Sequence, residues 1–347
     1  LPFSAIDAIS PAVEHTKRQL LQPFRVGQWT RLAVVGLLAG ELSSGGCNVP
    51  SFPNSTAPVH PGIPGGNLML FAGLFVVLMV AAFVVGLVLM YVSSVMRFIL
   101  FDSVVAKECH IRQGWSRRQG PGWRYFVWKL LYVMVMLGVM IVLLGIPLGF
   151  AFAMGWVTEP KEHLVPLVLC GIVLFFLFAA LVIGTLLIYV LTKDFVVPQM
   201  ALEDIGVMEG WSRLWTMMKA EKGGYAGYVG MKIVLAIGAG IVIAIVSFIV
   251  ALIILIPIAG LAAGTLLAGK AAGLGWTVST ITLAVVEGCT LFAAFLYVMS
   301  LITVPAIVFF PAYSIYFFAA RYPALAAVLY PAPPAPQIPP AAPIPTG

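Results

Sequence analysis

Ionisable side chains set inside long apolar runs are the residues of this sequence best placed to do chemistry, because charge is costly to bury in hydrocarbon and is kept there for a reason. Glu287, in Leu283-Ala-Val-Val-Glu-Gly-Cys-Thr-Leu291, is the strongest instance. A carboxylate there could bind a cation or relay a proton. It could equally sit near the outer interface, paired with Lys270 or capped by Thr280, and this local role is the expectation. Asp102 closes a second apolar run beside Arg97, and Glu41 closes a third. Both read as interfacial ion pairs or helix caps. His15, His60, His110 and His163 fall in loops or interfaces, with no two at helical spacing inside an apolar run, which argues against haem or pigment ligation within the membrane. Four cysteines without CxxC spacing leave no zinc or redox motif. The sequence has no phosphate-binding loop, no GxSxG turn and no HExxH helix. The carboxylate pairs Glu203-Asp204 and Glu159/Glu162 lie in polar segments beside basic residues and read as solvated faces. No catalytic site, no metal site and no cofactor is therefore expected, bound lipid apart.

The elements that must position these residues follow from composition. Charged residues make up 9% of the 347-residue chain and hydrophobic residues 61%, with a mean hydropathy of +1.06. A soluble domain carries about 25% charged residues. So little charge cannot cover a water-facing surface of this size, and the excess apolar surface must face lipid. The expected class is an all-α integral membrane protein. The net charge of +6 reads as topology signal and anionic-lipid contact, not as nucleic-acid binding.

Six spans are predicted, at about 27–45, 68–94, 125–156, 164–192, 229–256 and 277–310. The first is short: residues 31–43 cover about 20 Å as a helix, against roughly 30 Å of hydrocarbon. Residues 1–30 form an N-terminal interfacial segment, with an amphipathic helix near Pro11–Pro23 that keeps Lys17 and Arg18 wet. Residues 258–275, rich in Gly and Ala, are a loop or a re-entrant half-helix. Residues 311–330 are a second interfacial segment. Eight prolines in the seventeen residues of 331–347 predict an extended polyproline tail on the cytoplasmic side. With both termini inside, seventeen of the nineteen Lys and Arg residues fall on the cytoplasmic side, and only Lys161 and Lys270 outside. That asymmetry supports both the span count and the orientation.

The chain also echoes itself. Gly114-Trp115-Ser-Arg117 recurs as Gly210-Trp211-Ser-Arg213, an offset of 96 residues. An aromatic residue follows each copy, Trp123 and Tyr225, before the next apolar run. Val304-Pro305 echoes Val197-Pro198. The pattern reads as three repeated helical hairpins, each introduced by a cytoplasmic interfacial helix. The pairs Ala226 and Gly230, Gly260 and Gly264, and Gly269 and Gly273 supply small-xxx-small spacings that let helices approach closely.

The segment Val196-Val-Pro-Gln-Met-Ala-Leu-Glu-Asp-Ile-Gly-Val-Met-Glu-Gly-Trp-Ser-Arg-Leu214 resembles a recurrent stretch of a bacterial multi-pass membrane family of unknown function. Its members are similar to the membrane domain of glycerophosphodiester phosphodiesterases. Val197, Pro198, Glu203, Gly206, Glu209 and Arg213 carry the resemblance. It implies a six-helix bundle over about residues 5–330. It does not imply phosphodiesterase activity, which belongs to a separate soluble barrel domain. Taken together, the residues predict a non-catalytic membrane protein that is an accessory or scaffold subunit of a larger complex. Its partners would be membrane lipids and other membrane subunits, with the Pro-rich tail as one contact. The alternative is a transporter or channel for a small solute, ion or lipid.

Overall fold

Apolar runs of more than thirty residues with few breakers have to form helices in lipid, where every backbone amide and carbonyl must be bonded within its own segment. The computed structural model describes residues 4–41, 68–156, 161–271 and 278–331, and among these it is all helical. Two short helices come first, α1 (Ile9–Leu21) and α2 (Val26–Ala39). The long helices α3 (Leu68–Ala106), α4 (Ile111–Ala153) and α5 (Leu164–Leu191) follow. α5 widens into a π-helical turn, Thr192–Val196, and continues as α6 (Val197–Glu203). Asp204 turns the chain in the left-handed conformation (φ 55°) into α7 (Val207–Ala220). α8 (Lys222–Ala271), α9 (Val278–Ala319) and α10 (Pro323–Leu329) are the last of the described helices.

Among the described residues five helical stretches are long and apolar enough to cross a membrane: Gly73–Ala106, Ile111–Ala153, Leu164–Glu203, Lys222–Ile258 and Val285–Ala319. The shortest of them has 34 residues, about 51 Å of helix against roughly 30 Å of hydrocarbon. The surplus of every helix gathers at one end, and that end is where the protein packs. The buried core is made by α1, α2, the last third of α3, the start of α4, the π turn with α6 and α7, the first turns of α8, the last turns of α9, and α10. We call this layer the base. Phe195 is its centre, in ring contact with Tyr225, Tyr228, Phe317 and Phe318 at centroid distances of 5.0–6.0 Å. Beyond the base the helices diverge and present Val, Leu, Ile and Phe outward.

Two expectations change. α2, at 14 residues, spans only about 21 Å and does not cross by itself. It climbs beside the end of α3, from Arg31 near Cys109 to Ala39 near Arg97, and stops at Gly40 (φ 81°). Gly36 lets it lie against α9 at Ile307, where an added Cβ would come within 2.5 Å of that side chain. Residues 258–271 are neither loop nor re-entrant: they extend α8 as helix. Asp102, at the end of α3, forms an ion pair with Arg118 of α4. Arg118 takes both of its carboxylate oxygens at 2.6 Å and also donates to the Ala201 carbonyl at 2.7 Å, tying α3 and α4 to α6. The Pro-rich tail from 332, the stretch 42–67 and residues 272–277 lie outside the described residues. Both described ends, α1 and α10, sit on the base, packed against α9.

Candidate functional site

Five charged side chains from four elements meet inside the base, on the side facing the diverging helices. Gly40, left-handed at the end of α2, reverses the chain and points Glu41 inward. Arg97 comes from the apolar run of α3. The π turn supplies neighbours with opposite aims, Lys193 towards α2 and Asp194 towards α8. Lys232 comes from the third turn of α8. A single-turn π segment of this kind re-aims side chains that an α-helix would set on one continuous stripe.

Glu41 is the hub of one half. Arg97 Nη1 lies 3.5 Å from its Oε1, and Lys193 Nζ bonds its Oε2. Arg97 spends Nη2 on the Ala39 carbonyl and on the Tyr189 hydroxyl at 2.8 Å, with the Tyr189 ring centroid 5.3 Å away. Asp194 is the hub of the other half, bonded by Lys232 and by the Tyr228 hydroxyl at 2.9 Å. These are buried charges: side-chain exposure is 3% for Glu41, 4% for Arg97, 8% for Lys193 and 1% for Asp194. A cavity of about 20 Å³ between Glu41, Arg97, Lys193, Asp194, Pro198 and Ser314 has room for one water molecule.

Chemically the network is a clamp. Each charge is fastened to a partner of opposite sign or to a carbonyl or hydroxyl, so α2, α3, α5 and α8 are bound to one another through it. Among the described residues three cations face two carboxylates there. The network also borders two spaces of different kinds. Glu41 lines the small cavity on one side. On the other it ends an apolar groove of about 630 Å³ between α8 and α9, walled by Gly240, Ala244, Ser247, Phe295 and Met299.

The sequence-predicted residues are spread out. Glu41 belongs to the clamp and stands at the level of Arg97, not at the far boundary of a span. Pro198 lines the small cavity. Glu203 is bonded by Arg213 and by the Tyr322 hydroxyl, and Arg213 also holds Glu209 at 2.6 Å. Gly114 and Gly210 each allow a close approach to the preceding helix, with an added Cβ at 3.1 Å from Ile99 and 2.8 Å from Val196. Their settings differ, one inside the long α4 and the other in the short α7. Trp115 packs edge-on to Tyr91 at 6.1 Å, while Trp211 donates to the Thr192 hydroxyl at 3.1 Å. Arg117 is exposed. Glu287 is exposed on the outer half of α9 and, among the described residues, forms no ion pair. The side chain of Lys270 lies outside the described part. Sequence reasoning misses Asp194 and Lys232 as site residues. The available signal is a Lys-Asp pair closing one apolar run and a lone Lys opening the next. Among the described residues no three His, Cys, Asp or Glu side chains converge as a metal site.

A second polar contact holds α1 down. His15 is buried and bonds the Val104 carbonyl at 2.9 Å, which must accept, so Nε2 carries the proton and Nδ1 accepts from the Tyr316 hydroxyl at 3.1 Å. Burial lowers its pKa below the usual 6.5, against the pull of the Val104 bond. Gln19 Nε2 donates to the Ser103 carbonyl at 2.9 Å.

Comparison with curated proteins and with solved structures gives no significant match. The comparison with protein families brings no link to glycerophosphodiester phosphodiesterases. What it does match is a family of unknown function, over residues 3–328, nearly the whole length described above. The chain is thus a member of the family of unknown function DUF7544.

Proposed function

We propose that this chain is a non-catalytic multi-pass subunit, an accessory or scaffold component of a larger assembly in the bacterial inner membrane, with the base on the cytoplasmic side. One observation carries the reading. The protein's own packing is concentrated in the base, while the most apolar stretch of four of the five long helices has no buried residue and that of the fifth only 17%. Helices in lipid gain little from the hydrophobic effect and are held by close packing and polar contacts. Here both are spent on the base, and the diverging arms leave room for helices of other subunits. The small-residue face Gly240, Ala244, Ser247 of α8 suits such packing. The clamp supports the same reading, since its charges are committed to one another. The repeated hairpins and the count of six spans, the first at about 27–45, belong to the proposal, as does the Pro-rich tail as a contact.

A second reading, carriage of a small solute or lipid, is favoured by the apolar groove that ends on Glu41. The two separate experimentally. Solubilisation in mild detergent, cross-linking and mass spectrometry should recover a defined set of membrane partners in fixed ratio with the chain. Recovery of the chain alone would sink the scaffold reading. Loss of solute or lipid movement in Glu41→Gln vesicles, with folding intact, would favour carriage.

A further inference from the structure

Among the described residues, several cations of the base have no carboxylate partner. Asp102 is taken by Arg118, Asp194 by Lys232, Glu221 by Arg321, and Glu108 by His110 at 3.2 Å. Arg31, Arg112 and Arg117 have no carboxylate within 4 Å among the described residues. Two of these three meet. An open basin of about 650 Å³ lies between α2 and the start of α4, lined by Arg31, His110, Arg112, Gln113 and Ser116. Arg31 is turned into place by a 3.4 Å bond to the Cys109 carbonyl, which leaves most of its five N–H donors open. The basin therefore offers two guanidiniums, an amide and a hydroxyl. Glu108, two residues before His110, is bonded to it.

The location decides what fits. Arg31 stands at the edge of the base, and α2 climbs from it towards the apolar arms. Val34, one turn further on and 41% exposed, continues the same face of α2. Phe24, Val26 and Trp29 mark the boundary beside it, with Phe24 and Trp29 in ring contact at 5.6 Å. An anion that brings its own apolar chain satisfies both parts. Guanidinium pairs suit phosphate oxygens through charge-assisted, forked hydrogen bonds. We propose that this basin binds the phosphate group of an anionic phospholipid from the leaflet that the base meets, held by Arg31 and Arg112, with an acyl chain along α2.

The test uses the full chain in phosphatidylcholine nanodiscs, with and without phosphatidylglycerol, read by native mass spectrometry and by melting temperature. Phosphatidylglycerol should be retained by the wild type and should raise its melting temperature. Arg31→Gln with Arg112→Gln should weaken retention roughly fivefold for each charge removed. Lys219→Gln, a charge loss of equal size elsewhere on the base, should leave retention unchanged. If the double variant does not fold, the solvent-exposed Arg112→Gln alone is measured. Equal retention in the Arg31 and Arg112 variants, or equal loss in Lys219→Gln, overturns the site. Inorganic phosphate added to phosphatidylcholine nanodiscs should have no effect. Stabilisation by phosphate that vanishes in the same variants would make this a soluble-anion site and overturn the lipid assignment.

Discussion

Arg97 illustrates how one side chain in an apolar run can organise a molecule. It reaches a carboxylate, a helix-end carbonyl and a tyrosine hydroxyl at once, and these contacts tie α3 to the end of α2 and to α5. Removing one member of a buried pair leaves the other charge without compensation, at a cost of about 3–5 kcal/mol. Arg97→Met and Asp194→Asn should each lower the melting temperature in detergent clearly, whereas Glu287→Gln should move it hardly at all. A silent Arg97→Met would mean that the clamp does not hold the base. The contrast also marks what is legible at this scale. Glu287 stands out in the sequence because it is a lone acid among aliphatics, yet the structure gives it an exposed place on α9. The clamp is spread over Glu41, Arg97, Lys193, Asp194 and Lys232, up to 191 residues apart, and no spacing rule brings such residues together. Only their shared anomaly, charge at the edge or inside of apolar runs, is visible beforehand.

The helices themselves are far more legible than their company. Apolar length foretells α3, α4, α5, α8 and α9, and the wet Lys17-Arg18 face of α1 follows from its amphipathic period. What α1 docks onto is hidden, because His15 and Gln19 reach backbone carbonyls of α3, and carbonyls carry no side-chain signature. His15 makes that docking depend on pH. Its folded pKa is lowered by burial, so the unfolded chain takes up the proton first. Stability is then complete above about pH 6.5 and declines as pH falls below it towards the folded value. His15→Gln should flatten that decline in unfolding curves recorded across about pH 5–7.5, and an unchanged slope would place the titration elsewhere. α2 depends on steric fit instead. Gly36→Ala pushes a methyl into Ile307, a clash worth about 1–3 kcal/mol that outweighs the roughly 1 kcal/mol gain in helix propensity. Gly36→Ala with Ile307→Ala should be less destabilised than the sum of the two single variants, and strict additivity would contradict the contact.

For the whole molecule, the distribution of cations foretells which helix ends share a side. Arg112 and Lys219 lie on α4 and α7 in the base, and Lys161 lies in the turn before α5, at the far end of that helix from the base. In a cysteine-free background, a single cysteine at position 161 should react with an impermeant maleimide from outside intact cells. Cysteines at 112 and 219 should react only after permeabilisation, and early labelling at 112 would invert the proposed orientation. The divergence of the arms is not legible, because hydropathy records that a helix faces something apolar without telling lipid from protein. The joining of the two chain ends also has a consequence in time. His15 contacts Tyr316, 301 residues later, and Tyr313 bonds the carbonyl of Ala5, 308 residues earlier. At a synthesis rate of about 5–20 residues per second, roughly 15–60 s separate the emergence of α1 from that of its partner. Throughout that interval α1 has no seat on α9 and only the carbonyls of α3 to hold it, so the newborn chain waits at the membrane with its first helix half docked. The base closes only when the last span is delivered, which makes the nascent protein vulnerable to proteases until that span is made.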